Sequence, residues 1–309
     1  LPSLLLYYED QKIRSIKLGG NLRSLAWDPS GSYLLVVGDR GRVLKITEGK
    51  QTRIDAGTQQ NLRAVATNHA TGEALIVGNA GTMLLLNEKG HSKKLNSPTT
   101  ENLRSAEWNA KGTVALVAGN KGNLMKYDGG SVQTVDDGRA NLRHVAWHPT
   151  SEQALVTSNC YAEEFIPSPT LFQYDLKAEL LKAVNEGRAD LIGVDWKPNG
   201  ESALVVGYDV VWHNGFIASF DGRSLSPIEF ENKRVYPVAV AWNPAGTVAA
   251  IVTATTEAGV GRGSVYLLDT HSPKEIYANP DCFFNAVAWS PDGKRLAALA
   301  SKATRTFNC

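Results

Sequence analysis

Four arginines recur in one fixed phrase: Asn21-Leu22-Arg23, Asn61-Leu62-Arg63, Asn102-Leu103-Arg104 and Asn141-Leu142-Arg143. A guanidinium fork matches the geometry of a carboxylate or a phosphate, so four of them gathered in space make an anion-binding surface. The phrase also fits a structural role, in which each arginine pairs with Asp39, Asn79, Asn120 or Asn159, in every case sixteen residues on. The two roles are compatible if donors are left over. A second set is aromatic: Tyr161, Phe165, Tyr208, Trp212, His213 and Phe216 are types enriched at the centres of protein interfaces. They either form a binding wall or fold down over the small cores of their own loops.

Other chemistry is sparse. Glu107 and Asp195 stand where other copies of the same phrase carry Ala26, Ala66, Ala146, Ala241 and Ala288. Two carboxylates acting as a catalytic pair need close approach, and these two are separated by a whole intervening copy, so no catalytic residue is assigned. The six histidines show no metal-ligand spacing, and neither a Gly-x-Ser-x-Gly elbow nor a phosphate-cradling loop before a helix occurs. No cofactor and no metal site is therefore expected. Gly259-Val260-Gly261-Arg262-Gly263 reads as a flexible turn. Cys282 and Cys309 fall towards one side of the last copy, where a disulfide could pin the chain end if their Cα atoms come within roughly 7 Å; Cys160 is left over.

The elements that must position these side chains are read from the repeat. The phrase continues to a Trp at positions 27, 108 and 147, to Thr67 in one copy, and more loosely to Trp196, Trp242 and Trp289, giving spacings of 40, 41, 39, 49, 46 and 47 residues. Each copy opens with a short strand ending there, then a tight turn such as Asp28-Pro29-Ser30-Gly31 or Ser290-Pro291-Asp292-Gly293. A continuously apolar strand follows (33–37, 74–77, 114–118 and 203–206), as expected of a strand buried on both faces. Gly38-Asp39-Arg40-Gly41 and its equivalents then signal a second hairpin. A third strand ends in pairs such as Tyr127-Asp128, Tyr174-Asp175, Phe220-Asp221 and Leu268-Asp269, and a polar fourth strand leads to the next copy.

Four antiparallel strands in each of seven copies predict an all-β, seven-bladed β-propeller. The last copy stops after two strands, while residues 4–8 and 12–18 look like third and fourth strands without a first and second. Pairing them closes the ring. The predicted division is residues 1–20 completing blade 7, then blades 1 to 6 at 21–60, 61–101, 102–140, 141–189, 190–235 and 236–282, and the first half of blade 7 at 283–309. Blades 4 to 7 show long connections between second and third strands, at 160–170, 208–215, 255–263 and 302–309. Such insertions on one junction build up one face, which is commonly the binding face.

Composition narrows the functional classes. With 32 Lys+Arg against 31 Asp+Glu the net charge is +1, which argues against a nucleic-acid binder. No apolar run is long enough to span a bilayer. The Ala-Trp-(Ser/Asn/Asp)-Pro-x-Gly turns and the hydrophobic-Asp strand ends resemble those of WD40-like and related β-propellers over nearly the whole chain. That resemblance implies a rigid interaction platform. The expected partner is a protein or peptide of acidic character on the face bearing the arginines. An enzyme or small-molecule binder holding an anionic ligand at the channel mouth, and a structural module of a larger assembly, are the alternatives.

Overall fold

The structure, a computed structural model, describes residues 3–138, 140–159, 168–185, 187–209, 214–230, 235–257, 260–269 and 272–302. Seven four-stranded antiparallel sheets are arranged in a ring, each with its strands in sequential order from the inside outward, apart from the sheet that closes it. The protein is an all-β, seven-bladed propeller. Among the described residues the one helical turn is Asn120–Gly122, and no helix is long and apolar enough to cross a membrane.

Closure follows the predicted scheme. Ser3–Glu9 lies between Lys12–Leu18 and Leu296–Lys302, and Cys282–Trp289 completes that sheet on the channel side. The register runs from Ser3 opposite Ser301 to Tyr8 opposite Leu296. Side chains lock the seam: the Ser3 hydroxyl donates to the Gly20 carbonyl (2.9 Å) and accepts the Leu22 N–H (3.0 Å), and Asn285 donates to the Leu22 carbonyl (3.0 Å).

The core is not central. Buried apolar side chains of the described residues form seven clusters, and each is shared by two neighbouring blades, as in Leu35, Val37 and Val43 of blade 1 against Leu62, Val65 and Ile76 of blade 2. Both faces of every second strand are therefore covered, which explains the unbroken apolar runs. The Trp ending the first strand staples successive blades. Trp27, Trp108, Trp147 and Trp289 donate their indole N–H to the carbonyls of Ala288, Ala66, Glu107 and Ala241 in the blade before, at 3.1–3.3 Å. Thr67, lacking an indole, reaches back with its hydroxyl to the Trp27 carbonyl (2.7 Å).

Two of the expected long connections are corrected. Strands 203–209 and 214–220 run on as a hairpin, with Tyr208 paired to Gly215 and Asp209 to Asn214. Residues 255–257 and 260–262 likewise pair, Thr255 with Arg262 and Glu257 with Val260. β-Branched Thr255, Thr256 and Val260 favour strand continuation. Gly263 is there for close approach rather than flexibility: a Cβ on it would sit 2.7 Å from the Cys282 carbonyl oxygen and 2.8 Å from the Phe284 ring.

If closure carries the ring, a side chain from the chain's beginning must be as important as one from mid-chain. Leu5 and Leu62 are both fully buried in seams between blades. Replacing either by Ala is expected to cost about 2–5 kcal/mol. Urea unfolding checks this, with Leu5→Ala and Leu62→Ala predicted to lower the midpoint of one shared transition by similar amounts.

Candidate functional site at the channel mouth

In all seven blades the first strand carries a bulge near its upper end, where one residue has no partner in the neighbouring strand. The bulged residues are Arg23, Arg63, Arg104, Arg143, Ile192, Val238 and Asn285. A bulge re-aims the side chain it releases. These seven positions form a collar around the upper channel, and Arg23, Arg63, Arg104, Val238 and Asn285 line a cavity of about 270 Å³ there. Arg143 is not part of that lining.

The fixed phrase now has a physical basis. Its Leu is the seam residue, with Leu22, Leu62 and Leu103 at 0 % exposure. Its Asn accepts a backbone N–H from the previous blade's upper hairpin: Arg40 to Asn61 (3.1 Å), Ala80 to Asn102 (3.2 Å) and Lys121 to Asn141 (3.0 Å). The three donors sit at positive φ beside Gly41, Gly81 and Gly122, also at positive φ, as a two-residue hairpin turn requires. The arginine pairs within its own blade. Arg23 makes a two-point ion pair with Asp39 (2.5 and 2.9 Å), whereas Arg63, Arg104 and Arg143 each donate Nε to the side-chain oxygen of Asn79 (2.8 Å), Asn120 (3.0 Å) and Asn159.

The four arginines are thus electrostatically unequal. Burial pushes the Asp39 carboxyl up, but the Arg23 fork and its charge, with Asn21 and Arg63, hold it below the usual range. That pair is neutral as a unit. Arg143 is pulled down by burial and supported by Asp190 and Tyr208 of the next blade. The side-chain hydrogen bonds of Arg63 and Arg104 go to neutral asparagines. Burial, then repulsion from Arg23 and Arg104, brings Arg63 down to about 10 against the opposing pull of Asp39, and burial with Arg143 and Arg23 lowers Arg104. Both remain cations at neutral pH, and among the described residues their terminal Nη groups have no hydrogen-bond acceptor. The positive excess lies over blades 2 and 3, with Ile192, Val238 and Asn285 opposite.

Below the collar the channel is lined by acids instead of arginines. Glu107 and Asp195, open only to the lumen, each use one oxygen to accept the N–H of the Trp in the following blade, Trp147 (2.8 Å) and Trp242 (2.6 Å). Burial raises Glu107 well above the ordinary carboxylate range, and the Asp195 charge adds to it; burial raises Asp195 to about 7 against the Trp242 and Trp196 N–H groups. Both acids line the same cavity, so the intervening blade does not separate them. His144 lines the same cavity; burial lowers it to about 4 although the Val194 carbonyl favours its proton, so it is neutral at pH 7. Its Nδ1 is buried without a partner among the described residues, as are the indole nitrogens of Trp196 and Trp242. The two acids and His144 as a facing group were not legible from spacing alone, although the replacement of alanine by Glu107 and Asp195 was the signal.

The aromatic set divides. Tyr208 stands edge-on to Tyr236 (5.3 Å between ring centres), and Phe216 packs against the seam between blades 4 and 5. Tyr161, Phe165, Trp212 and His213 lie outside the described residues, as does Cys309; Cys282, half-buried, packs at the seam between blades 6 and 7. Among the described residues no group of three or more His, Cys, Asp or Glu could hold a metal ion.

Comparison with known proteins bears on the frame. No protein-family model matches the chain, and no curated protein matches it in sequence. Among solved structures it is similar to one described as a TolB from Agrobacterium tumefaciens, with 13 % identity, TM-score 0.63 and coverage of 98 % of this chain and 99 % of that one. It is also similar to hydrazine synthase from Kuenenia stuttgartiensis, with 13 % identity, TM-score 0.71 and coverage of 94 % and 98 %. At such identity the shared property is the propeller fold alone, so function must come from the site. The WD40-like resemblance is narrowed to the fold.

The raised Asp195 makes a stability prediction with a definite sign. The folded state keeps this proton up to about pH 7, whereas the unfolded chain loses it near 3.8. The contribution of Asp195 to stability is therefore fullest below pH 3.8 and declines as pH rises to about 7, at roughly 1.4 kcal/mol per unit. Asp195→Asn retains a carbonyl oxygen for the Trp242 N–H without a charge. Thermal melts are expected to show the variant more stable than the parent at pH 8, by up to roughly 4 kcal/mol, with the gap closing towards pH 4.

Proposed function

We propose that the protein is a non-enzymatic binding scaffold that receives an acidic segment of a protein or peptide partner on the collar face of the ring. One observation carries this: Arg63 and Arg104 are fixed by Nε alone, leaving four Nη groups unclaimed among the described residues beside two like-charged neighbours. Guanidiniums gathered against their own repulsion are stabilised by an anion, and their asparagine anchors hold the forks in place before it arrives. Preorganisation of that kind lowers the entropic cost of binding. Contact area would come from the connections of blades 4 and 5, in whose sequence Tyr161, Phe165, Tyr208, Trp212 and His213 occur. The structurally similar propellers support the platform and leave the partner open.

A second reading is a small anionic ligand at the channel mouth, favoured by the enclosed volume beneath the collar. Both readings need the same two arginines.

Fluorescence anisotropy with a labelled glutamate-rich decapeptide tests the scaffold. The Arg63→Gln/Arg104→Gln variant should bind at least tenfold more weakly, since charge-assisted hydrogen bonds contribute roughly 1.5–3 kcal/mol each. Lys12→Gln, on the exposed outer strand of blade 7, should leave affinity unchanged. Undiminished binding by a folded double variant would remove the reading.

A further inference from the structure

The channel holds cations at its rim and, below them, two acids that burial keeps protonated. Arg63 and Arg104 stand at the rim of the 270 Å³ cavity, and Glu107, Asp195 and His144 line it as well. Arg104 and Glu107 belong to the same strand, three residues apart, so their Cα atoms are separated by about 10 Å along it at ~3.3 Å per residue. The groups that act on Glu107 are burial, Asp195 and the Trp147 N–H; those on Asp195 are burial and the Trp242 and Trp196 N–H groups. Among the described residues neither acid forms an ion pair. The arginines are depressed by burial and by one another, with Asp39 partly relieving Arg63.

A cavity with a cationic rim above two buried carboxyls that lack a cation is complementary to a molecule carrying an anion and a cation at its two ends. A carboxylate at the rim stabilises the guanidiniums and an ammonium below it favours the ionised acids, whereas a half-ligand does only one of these. We propose that the cavity binds a small linear zwitterion, its carboxylate on the Nη groups of Arg63 and Arg104 and its ammonium at Glu107 and Asp195. One oxygen of each acid is already fixed by a backbone N–H, so the carboxylates are oriented before the ligand enters. His144, its buried Nδ1 unpartnered among the described residues, adds a neutral polar group to the same lining. This inference rests on the free Nη groups of the collar and not on a protein partner.

Isothermal titration of the whole chain with four probes decides it: 6-aminohexanoate, glycylglycine, hexanoate and hexylammonium. At least one of the two zwitterions should bind tenfold or more tighter than either half-ligand, and which one does so separates a free ω-amino acid from a dipeptide. Arg104→Gln should weaken the zwitterion and hexanoate alike. Glu107→Gln, whose amide oxygen can still accept the Trp147 N–H, should remove the zwitterion's advantage while leaving hexanoate no weaker. Hexanoate binding as tightly as both zwitterions would overturn the proposal and leave the anion-binding collar intact. Hexylammonium matching them would overturn it by assigning the cavity to cations. No heat with any probe would overturn it too, while acidic-peptide binding, measured separately, would still report on the scaffold.

Discussion

The structure depends on one act of pairing between the two ends of the chain. A propeller blade cannot cover its own faces, because each apolar cluster is shared with a neighbour, so six and a half blades in a row would leave two open seams and an unpaired sheet edge. Ser3–Glu9, hydrogen-bonded on both sides, removes the edge and closes both seams together. Everything at the channel follows. Corresponding residues from seven copies converge on one axis only if the copies form a circle, and the first-strand bulge turns that convergence into a collar of seven side chains.

Within the collar, repetition serves structure and variation carries chemistry. The Asn-Leu-Arg phrase is repeated because each of its residues has a mechanical role. The Asn bonds to the previous hairpin, the Leu fills the seam, and the Arg bonds to the blade's own hairpin. What differs between blades is the partner. Asp39 cancels the charge of Arg23, whereas Asn79 and Asn120 hold Arg63 and Arg104 without cancelling them. The same logic applies lower down, where alanine suffices in five blades and Glu107 and Asp195 introduce buried carboxylates at a cost to stability at neutral pH. Groups that cost stability and sit together in a cavity are where function is to be sought.

Much of this was legible in the sequence, for identifiable reasons. The Trp-Pro-Gly spacing marks the first hairpin of each blade, and the fixed offset of sixteen residues between arginine and Asp39 or the asparagines corresponds to the observed bonds. Three features were not legible. Local composition makes Gly259 to Gly263 look like a flexible turn, because a glycine needed for close approach is indistinguishable from one needed for a bend. Counting blades puts Glu107 and Asp195 apart, although both line one cavity. The difference between a paired and an unneutralised arginine resides in one atom of the partner, Asp against Asn, and in burial that only the assembled ring supplies.

Amide hydrogen exchange across the opening strand tests circular closure most directly. As the inner member of a four-stranded sheet, residues 4–8 should exchange in the slowest class, together with residues 34–37 in the second strand of blade 1. Rapid exchange at residues 4–8, with the other blades protected, would mean that the ends are not paired and that the collar does not form as described.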